Sequence, residues 1–215
     1  MEVELKYKIE NKEQIDKIIK DSFLNGIGES GGYENVNMRA AYFDTEDHML
    51  IRNNIAFRVR KEGSKTVASL KWNDTDEGIK GLYVRNEINV PVDDENAFFS
   101  PNPAIFRESN EGKDLLDVID GKPLNHIFEL QINRKRLRVD YENSIIEISI
   151  DEGKIFTDEK ATEIRELEIE LFSGNKKALL DLSKIISEKH GLKPELKTKY
   201  ARGIDLLSAD LYIIK

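Results

Sequence analysis

The residues best suited to chemistry in this chain are charged side chains that recur at every second position. They occur as Glu2/Glu4/Lys6, Arg58/Arg60, Lys71, Arg85/Glu87, Arg134/Arg136/Arg138, Glu147/Asp151 and Glu166/Glu168/Glu170. Carboxylate oxygens bind divalent metal ions, whereas Arg and Lys side chains bind phosphate oxygens. A site that holds both sets is suited to phosphoryl transfer, in which a metal ion bridges phosphate oxygens and basic groups neutralise them.

The elements that position these residues are predicted to be mainly β-strands, because charged and apolar residues alternate with period two. Such alternation occurs over residues 2–9, 55–61, 65–72, 82–90, 127–139, 144–151 and 164–172. Helical spacing predicts helices over 12–23 and 175–190 and shorter turns near 46–53, 94–99, 113–119 and 201–208. Loops are predicted over 25–32, 73–81 and 100–112. Strands dominate, so we expect an α+β fold built on an antiparallel sheet, as a single domain over residues 1–215.

The charged faces of these strands have two interpretations. Any one of them is explained by a solvated outer face of an antiparallel sheet. Taken together, they also fit one closed sheet that encloses the charged face, with its apolar outer face covered by the helices at 12–23 and 175–190. Enclosed charges must then be compensated by each other, by metal ions or by a charged ligand, because burying an ion costs several kcal/mol.

Composition excludes several classes of protein. The 215 residues contain 33 Lys and Arg against 41 Asp and Glu, a net charge of −8. This acidic balance argues against a partner that is nucleic acid or anionic lipid. The absence of Cys excludes disulfides, zinc–thiolate sites and thiol catalysis. No apolar run approaches the roughly 20 residues that span a bilayer, and the charged N-terminus does not read as a signal peptide. We therefore expect a soluble cytoplasmic protein without a membrane partner.

Further motifs occur in the order typical of one family. Glu2-Val3-Glu4-Leu5-Lys6 is followed by Tyr42-Phe43-Asp44-Thr45, Phe57-Arg58-Val59-Arg60, Ser69-Leu70-Lys71, Val84-Arg85-Asn86-Glu87, Arg134, Ile146 to Gly153, Glu166 to Leu171, and Thr198-Lys199-Tyr200-Ala201-Arg202-Gly203. This series resembles the CYTH domain, also called the triphosphate tunnel metalloenzyme family, over nearly the whole chain. Two positions depart from the family pattern, with Asn89 in place of a carboxylate and Thr198 in place of Ser.

The resemblance implies an eight-stranded antiparallel β tunnel, a closed barrel with helices packed outside, that acts on triphosphates with Mg²⁺ or Mn²⁺. It implies metal binding by Glu2, Glu4, Asp151, Glu166, Glu168 and Glu170. It implies phosphate binding by Lys6, Arg58, Arg60, Lys71, Arg85, Arg134, Arg136, Lys199 and Arg202. The catalytic roles fall to Glu4, Glu168 and Lys6. The parity of 127–139 is ambiguous, because a bulge there would exchange Arg134 and Arg136.

Among the activities that the resemblance allows, the Arg- and Lys-rich lumen favours hydrolysis of inorganic triphosphate, a small-molecule substrate. A class IV adenylate cyclase and a thiamine triphosphatase are the alternative enzymes, although the sequence reveals no pocket for a base or a thiazolium ring. A polyphosphate-binding module without catalysis is a third possibility, which the intact carboxylate set argues against. Either a monomer or a homodimer is compatible with the sequence.

Overall fold

Eight antiparallel strands close into a barrel because the first strand pairs with both the fifth and the eighth. The structure, a computed structural model, describes residues 1–75, 77–93 and 95–207. The strands are β1 (Glu2–Lys8), β2 (Glu34–Asp44), β3 (Ala56–Glu62), β4 (Lys65–Thr75), β5 (Leu82–Pro91), β6 (Asn125–Tyr141), β7 (Ser144–Phe156) and β8 (Ala161–Ser173), and a two-residue β9 (Lys193–Pro194) pairs beside β1. Their order around the barrel is β5-β4-β3-β2-β6-β7-β8-β1. The closed eight-stranded barrel expected from the sequence is confirmed.

The helices are α1 (Lys12–Ile19), α2 (Ser22–Ile27), α3 (Met49–Arg52), α4 (Asn110–Ile119), α5 (Lys176–His190) and α6 (Lys199–Leu206), with 3-10 turns at Glu95–Phe98 and Pro103–Phe106. The segment predicted as one helix over 12–23 is two helices, because Asp21 accepts hydrogen bonds from the amides of Phe23 and Leu24 and starts α2. Of the predicted turns and loops, residues 76, 94 and 208 lie outside the described residues. So do the remaining C-terminal residues of the predicted domain.

Two apolar layers cover the outer face of the barrel. The first joins outward residues of β1, β6, β7 and β8 to α1, α2 and α5, with Leu179 and Leu182 of α5 fully buried. The second joins β2, β3 and β4 to α4 and the 3-10 turns, around Phe57 and Phe106. Among the described residues, none of the helices is both long and apolar enough to cross a bilayer.

Strand β2 is absent from the strands predicted by alternation, for a physical reason. Residues 40–43 of this strand are buried on both faces. The outward side chains of Ala41 and Phe43 pack in the second outer layer, while Ala40 and Tyr42 face inward against a third apolar cluster. A strand that is buried on both sides does not show period-two alternation.

Helix α6 enters one end of the barrel, where the inner wall is apolar. Its Tyr200 and Ile204 pack against inward side chains such as Phe128 and Leu130. The ring of Tyr200 lies 5.5 Å from that of Tyr42, and its hydroxyl donates to the carbonyl of Ile55 at 3.1 Å. Helix α6 therefore lies at one end of the polar part of the barrel interior.

Candidate functional site: a charged tunnel

The inner faces of the strands surround a cavity of about 790 Å³. Charges of opposite sign lie mainly on opposite walls, although Lys6 of β1 and Glu62 of β3 also line the cavity. The cations come from strands β3, β4 and β6, with β2 between β3 and β6, as Arg58, Arg60, Lys71, Arg134, Arg136 and Arg138. The carboxylates come from β1, β7 and β8, as Glu2, Glu4, Glu147, Glu168 and Glu170. Strand β5 lies where the two walls meet and carries both Arg85 and Glu87.

One cluster of ion pairs forms where β1 meets β5. Glu2 lies opposite Arg85 in the register of these strands, and its carboxylate accepts from Nε of Arg85 at 2.5 Å and from Nζ of Lys71 at 2.7 Å. Glu4 accepts from Arg85 at 2.6 Å and from Lys6 at 2.8 Å. Burial would raise the pKa of Glu2, but the charges of Lys71 and Arg85 outweigh it and hold that pKa well below its usual range.

A second cluster lies deeper, where β7 and β8 meet the start of α6. Arg134 donates two hydrogen bonds of 2.7 Å to Asp151 and one of 2.5 Å to Glu168. Lys199 pairs with Asp151 at 2.7 Å, with Glu168 at 2.8 Å and with Glu166. Lys6 also pairs with Glu168. Oxygen atoms of the three carboxylates lie within 4.8 Å of one another, a spacing that suits a single metal ion. We call Asp151, Glu166 and Glu168 the inner carboxylate cluster.

The three carboxyl groups of this cluster differ in their acidity. Burial would raise the pKa of Glu168, but Lys199, Lys6 and Arg134 hold it well below the usual value. The pKa of Asp151 is also lowered, because Arg134 and Lys199 outweigh its burial. The pKa of Glu166 is raised, because burial and the negative charge of Glu168 outweigh the attraction of Lys199.

Among the carboxylates that line the cavity, Glu170 has no ion-pair partner within the part of the chain that the structure describes. It lies opposite Glu4 of β1 and opposite Glu147 of β7, and the described residues place no cation within ion-pair distance of its carboxylate. Burial, together with the charges of Glu2 and Glu4, raises the pKa of Glu170 to about 8. A divalent cation bound near Glu2, Glu4 and Glu170 would relieve the repulsion among their carboxylates.

The cationic wall contains guanidinium groups with capacity for a further ligand. Arg58 and Arg60 are paired only loosely, with Glu87 at 3.6 Å and with Glu62 at 3.7 Å. In each of these two arginines the Nε atom is buried and has no hydrogen-bond partner. Burial and the neighbouring Arg58 lower the pKa of Arg60. A polyanion is the ligand that two such adjacent groups would bind.

The structure brings most of the expected site residues to this cavity. Asp151, Glu166 and Arg202 lie behind its surface, with Arg202 3.2 Å from Glu166. The β6–β7 register runs without a shift through Arg134 and Arg136, and both face the cavity. Arg136 forms salt bridges with Glu34 at 2.8 Å and with Glu62 at 2.7 Å.

Some residues at the cavity were not assigned to the site from the sequence. Glu147 and Arg138 were recognised only as alternating charges, yet both line it. The apolar lining from Tyr200 and Ile204 was also missed. The signal for Glu147 and Arg138 was their parity with the assigned residues on the same strands, whereas the apolar residues of α6 gave no signal of a position inside a barrel.

The chain is similar in sequence to a protein of known activity. An inorganic triphosphatase from Haemophilus influenzae is 29% identical over 171 residues, which are 80% of this chain and 46% of that protein. The chain thus spans about half the length of the curated relative it matches.

Two solved structures share the fold. One is a candidate adenylyl cyclase from Hippeastrum with a dominant triphosphatase activity, at a TM-score of 0.65 and 18% identity over 94% of each chain. The other is a candidate adenylate cyclase from Bacillus halodurans, at a TM-score of 0.59 and 20% identity over 94% of this chain and 96% of that one. The model of the CYTH domain matches residues 1–204. With the closed barrel and its charged interior, this match shows that the chain belongs to the CYTH domain family.

Proposed function

We propose that this protein hydrolyses inorganic triphosphate within the barrel, with Mg²⁺ or Mn²⁺ as its metal ion. The observation that carries the proposal is the opposition of a cationic and an acidic wall across one cavity. A polyanion needs the first wall, and pure anion binding gains nothing from the second. The similarity to an inorganic triphosphatase supports the same substrate class.

The carboxylates proposed to hold the metal are Glu2, Glu4 and Glu170. They fit a hard divalent cation because they are oxygen ligands on neighbouring strands. Glu170 lies opposite Glu4 and Glu147 without a cationic partner among the described residues, which further favours a metal ion there. When bound, the metal ion would polarise a phosphate and lower the pKa of a water molecule. The inner carboxylate cluster also has a spacing that suits a metal ion. Like Glu2 and Glu4, it is paired with cationic side chains, here Lys199 and Arg134.

Side chains of this chain would bind and orient the substrate. Arg58, Arg60 and Arg134 would neutralise phosphate oxygens along the cationic wall, assisted by Lys71, Arg85 and Arg136. Lys6 donates to Glu4 at 2.8 Å and is also bonded to Glu168, so it holds these two carboxylates at fixed positions. Glu4 or Glu168 would orient the attacking water and accept its proton. In this scheme no side chain acts as a nucleophile.

The test is a comparison of substrates with the purified protein. Inorganic triphosphate, thiamine triphosphate and ATP are each incubated with Mg²⁺ or Mn²⁺, and phosphate and cyclic AMP are measured. We expect phosphate to be released fastest from inorganic triphosphate. Cyclic AMP as the main product would instead identify a cyclase, and tight triphosphate binding without turnover would identify a binding module.

A matched pair of variants tests the assignment of the site. Arg60→Ala removes a cavity guanidinium and should lower kcat/KM by roughly 10²–10³, the usual cost of one oriented electrostatic group. Arg39→Ala removes a guanidinium that pairs with Glu129 at 2.8 Å on the outside of the barrel, and it should retain the wild-type rate. Equal rates for both variants would refute the site.

A further inference from the structure

The arginines of β6 become more exposed toward one end of the barrel. The side chains of Arg134, Arg136 and Arg138 are 11%, 31% and 43% exposed, in that order along the strand. Residues two apart on a strand point to the same face and lie about 7 Å apart, and all three side chains line the cavity. They form a row that leads from the interior to solvent. We call this end, where Arg136, Arg138 and Phe172 of β8 line the cavity, the arginine mouth.

The opposite end of the cavity offers less to an anion. Helix α6 enters the barrel there, and its Tyr200 and Ile204 contribute apolar lining. Two charged residues that line this end, Lys197 and Asp205, pair with each other at 2.6 Å. The chain has a net charge of −8, which repels a polyanion at long range, so capture depends on a cation that solvent reaches. The arginine mouth is therefore the better entrance for a polyphosphate.

Arg138 has the capacity to bind an anion at this mouth. Its guanidinium lies 4.8 Å from the centre of the Phe172 ring, and this ring is itself half exposed. Its contact with Glu147 is 3.5 Å, longer than the 2.7–2.9 Å that is typical, roughly, of a charge-assisted hydrogen bond. Arg136, in contrast, is held by two acidic side chains within 2.8 Å. An anion that binds Arg138 therefore displaces one weak contact.

Arg138 also shares a row of the barrel with carboxylates proposed to hold the metal ion. It lies opposite Glu147 of β7, which lies opposite Glu170 of β8. Glu170 in turn lies opposite Glu4 of β1. Because neighbouring strands are about 4.8 Å apart, the backbones at Arg138 and Glu170 are separated by about 10 Å. An anion bound at Arg138 is thus close to the proposed metal site.

We propose that Arg138 captures the substrate at the arginine mouth before the substrate moves inward to Arg60 and Arg134. This inference rests on the proposed function, because it takes inorganic triphosphate as the ligand of the cavity. An exposed charge at the rim of a site acts mainly on the association rate and on its salt dependence, whereas a buried charged contact acts mainly on dissociation. Arg138 therefore sets how fast the substrate enters, and the deeper arginines set how long it stays.

Binding of inorganic triphosphate to the full chain in EDTA tests this without turnover. Calorimetry gives Kd, phosphorus-31 NMR exchange spectroscopy gives the dissociation rate, and the two together give the association rate. Arg138→Met should lower the association rate about fivefold or more at an ionic strength of about 0.01 M, with little change in dissociation. The effect should shrink at about 0.15 M, because the Debye length falls from about 30 Å to about 8 Å. Arg138→Lys keeps the charge and should restore most of the rate.

Arg39→Met is the matched control. The guanidinium of Arg39 also lies over an aromatic ring, that of Phe98 at 4.9 Å, but on the outside of the barrel. This variant changes the net charge equally and should keep the wild-type association rate. Equal association rates for Arg138→Met and wild type would overturn the inference alone, as would an effect confined to dissociation. Wild-type protein that binds no triphosphate would refute the proposed function and this inference together.

Discussion

Gly203 of α6 lies close to the ring of Phe128 on the barrel wall. Replacing it by Ala should destabilise the fold, although Ala favours a helix more than Gly does. A Cβ atom on Gly203 would lie 2.7 Å from Cδ2 of Phe128 and closer still to Cε2 and Cζ. Carbon atoms in contact prefer about 3.5–4.0 Å. The ring of Phe128 cannot move aside, because it stacks on Tyr42 at 4.5 Å and also touches Tyr200. In Gly203→Ala, helix α6 itself must therefore shift.

The expected magnitude is the difference between two effects. Overpacking a buried site costs about 1–3 kcal/mol, whereas replacing Gly by Ala within a helix gains up to about 1 kcal/mol. Because three ring carbons would lie within 2.7 Å of the added Cβ, we take the upper half of the overpacking range, about 2–3 kcal/mol, so that the net loss should be about 1–2 kcal/mol. In a chain of this size each kcal/mol lowers the melting temperature by about 2–4 °C. Gly26→Ala is the matched control, because Gly26 also lies in a helix but has nothing within 4 Å of the added Cβ, so the same change should stabilise.

Thermal unfolding followed by circular dichroism measures both variants against wild type. Gly203→Ala should melt lower than wild type, and Gly26→Ala should melt at the same temperature or higher. Hydrogen exchange should locate the loss in α6, which has to shift from its packing inside the barrel. A melting temperature for Gly203→Ala at or above the wild-type value would refute the tight packing of α6 against Phe128.

Two further predictions concern pH. Burial alone would raise the pKa of Asp21, but hydrogen bonds from Lys189, His190 and the first amides of α2 lower it. The charged form of Asp21 therefore stabilises the fold above about pH 4, and this stabilisation is lost as the pH falls. Asp21→Asn should cost about 1–3 kcal/mol at pH 7 in denaturant titrations, and an equal cost at pH 3 would contradict this. Conversely, the raised pKa of Glu170 destabilises the metal-free fold as pH rises toward 8. Metal-free Glu170→Gln should thus melt above wild type at pH 9 but match it at pH 4, and equal melting at pH 9 would disprove the repulsion.

Much of the barrel was predictable because charge and apolar character alternate with the pleat of each strand. Arg58 and Arg60 are two residues apart on β3, so both side chains point to the same face of the strand and line the cavity, whereas Val59 between them points to the opposite face. Val59 is fully buried in the outer layer, as the pattern requires. The helix at 175–190 was equally clear, since its apolar stripe ends at Gly191 in a left-handed conformation.

The remaining features depend on contacts between distant parts of the chain. The break between α1 and α2 depends on Asp21, whose carboxylate also binds Lys189 and His190 across the outer layer. The placement of Lys199 is similar, because its helix contacts the interior rather than the surface. Local spacing predicts that a lysine starts a helix, but it does not reveal which carboxylates that lysine will meet.

Closure of the sheet has a consequence for folding. Every strand except the short β9 pairs on both sides, and a slip of one residue in any pairing would turn that strand's tunnel charges outward into the apolar layers. An unpaired charge in an apolar layer costs several kcal/mol, so these charges act against incorrect strand registers. Inserting a single residue within β8, between Glu166 and Glu170, should then be far more harmful than inserting one in the loop at 157–160. The chemistry of the interior and the accuracy of strand pairing depend on the same residues.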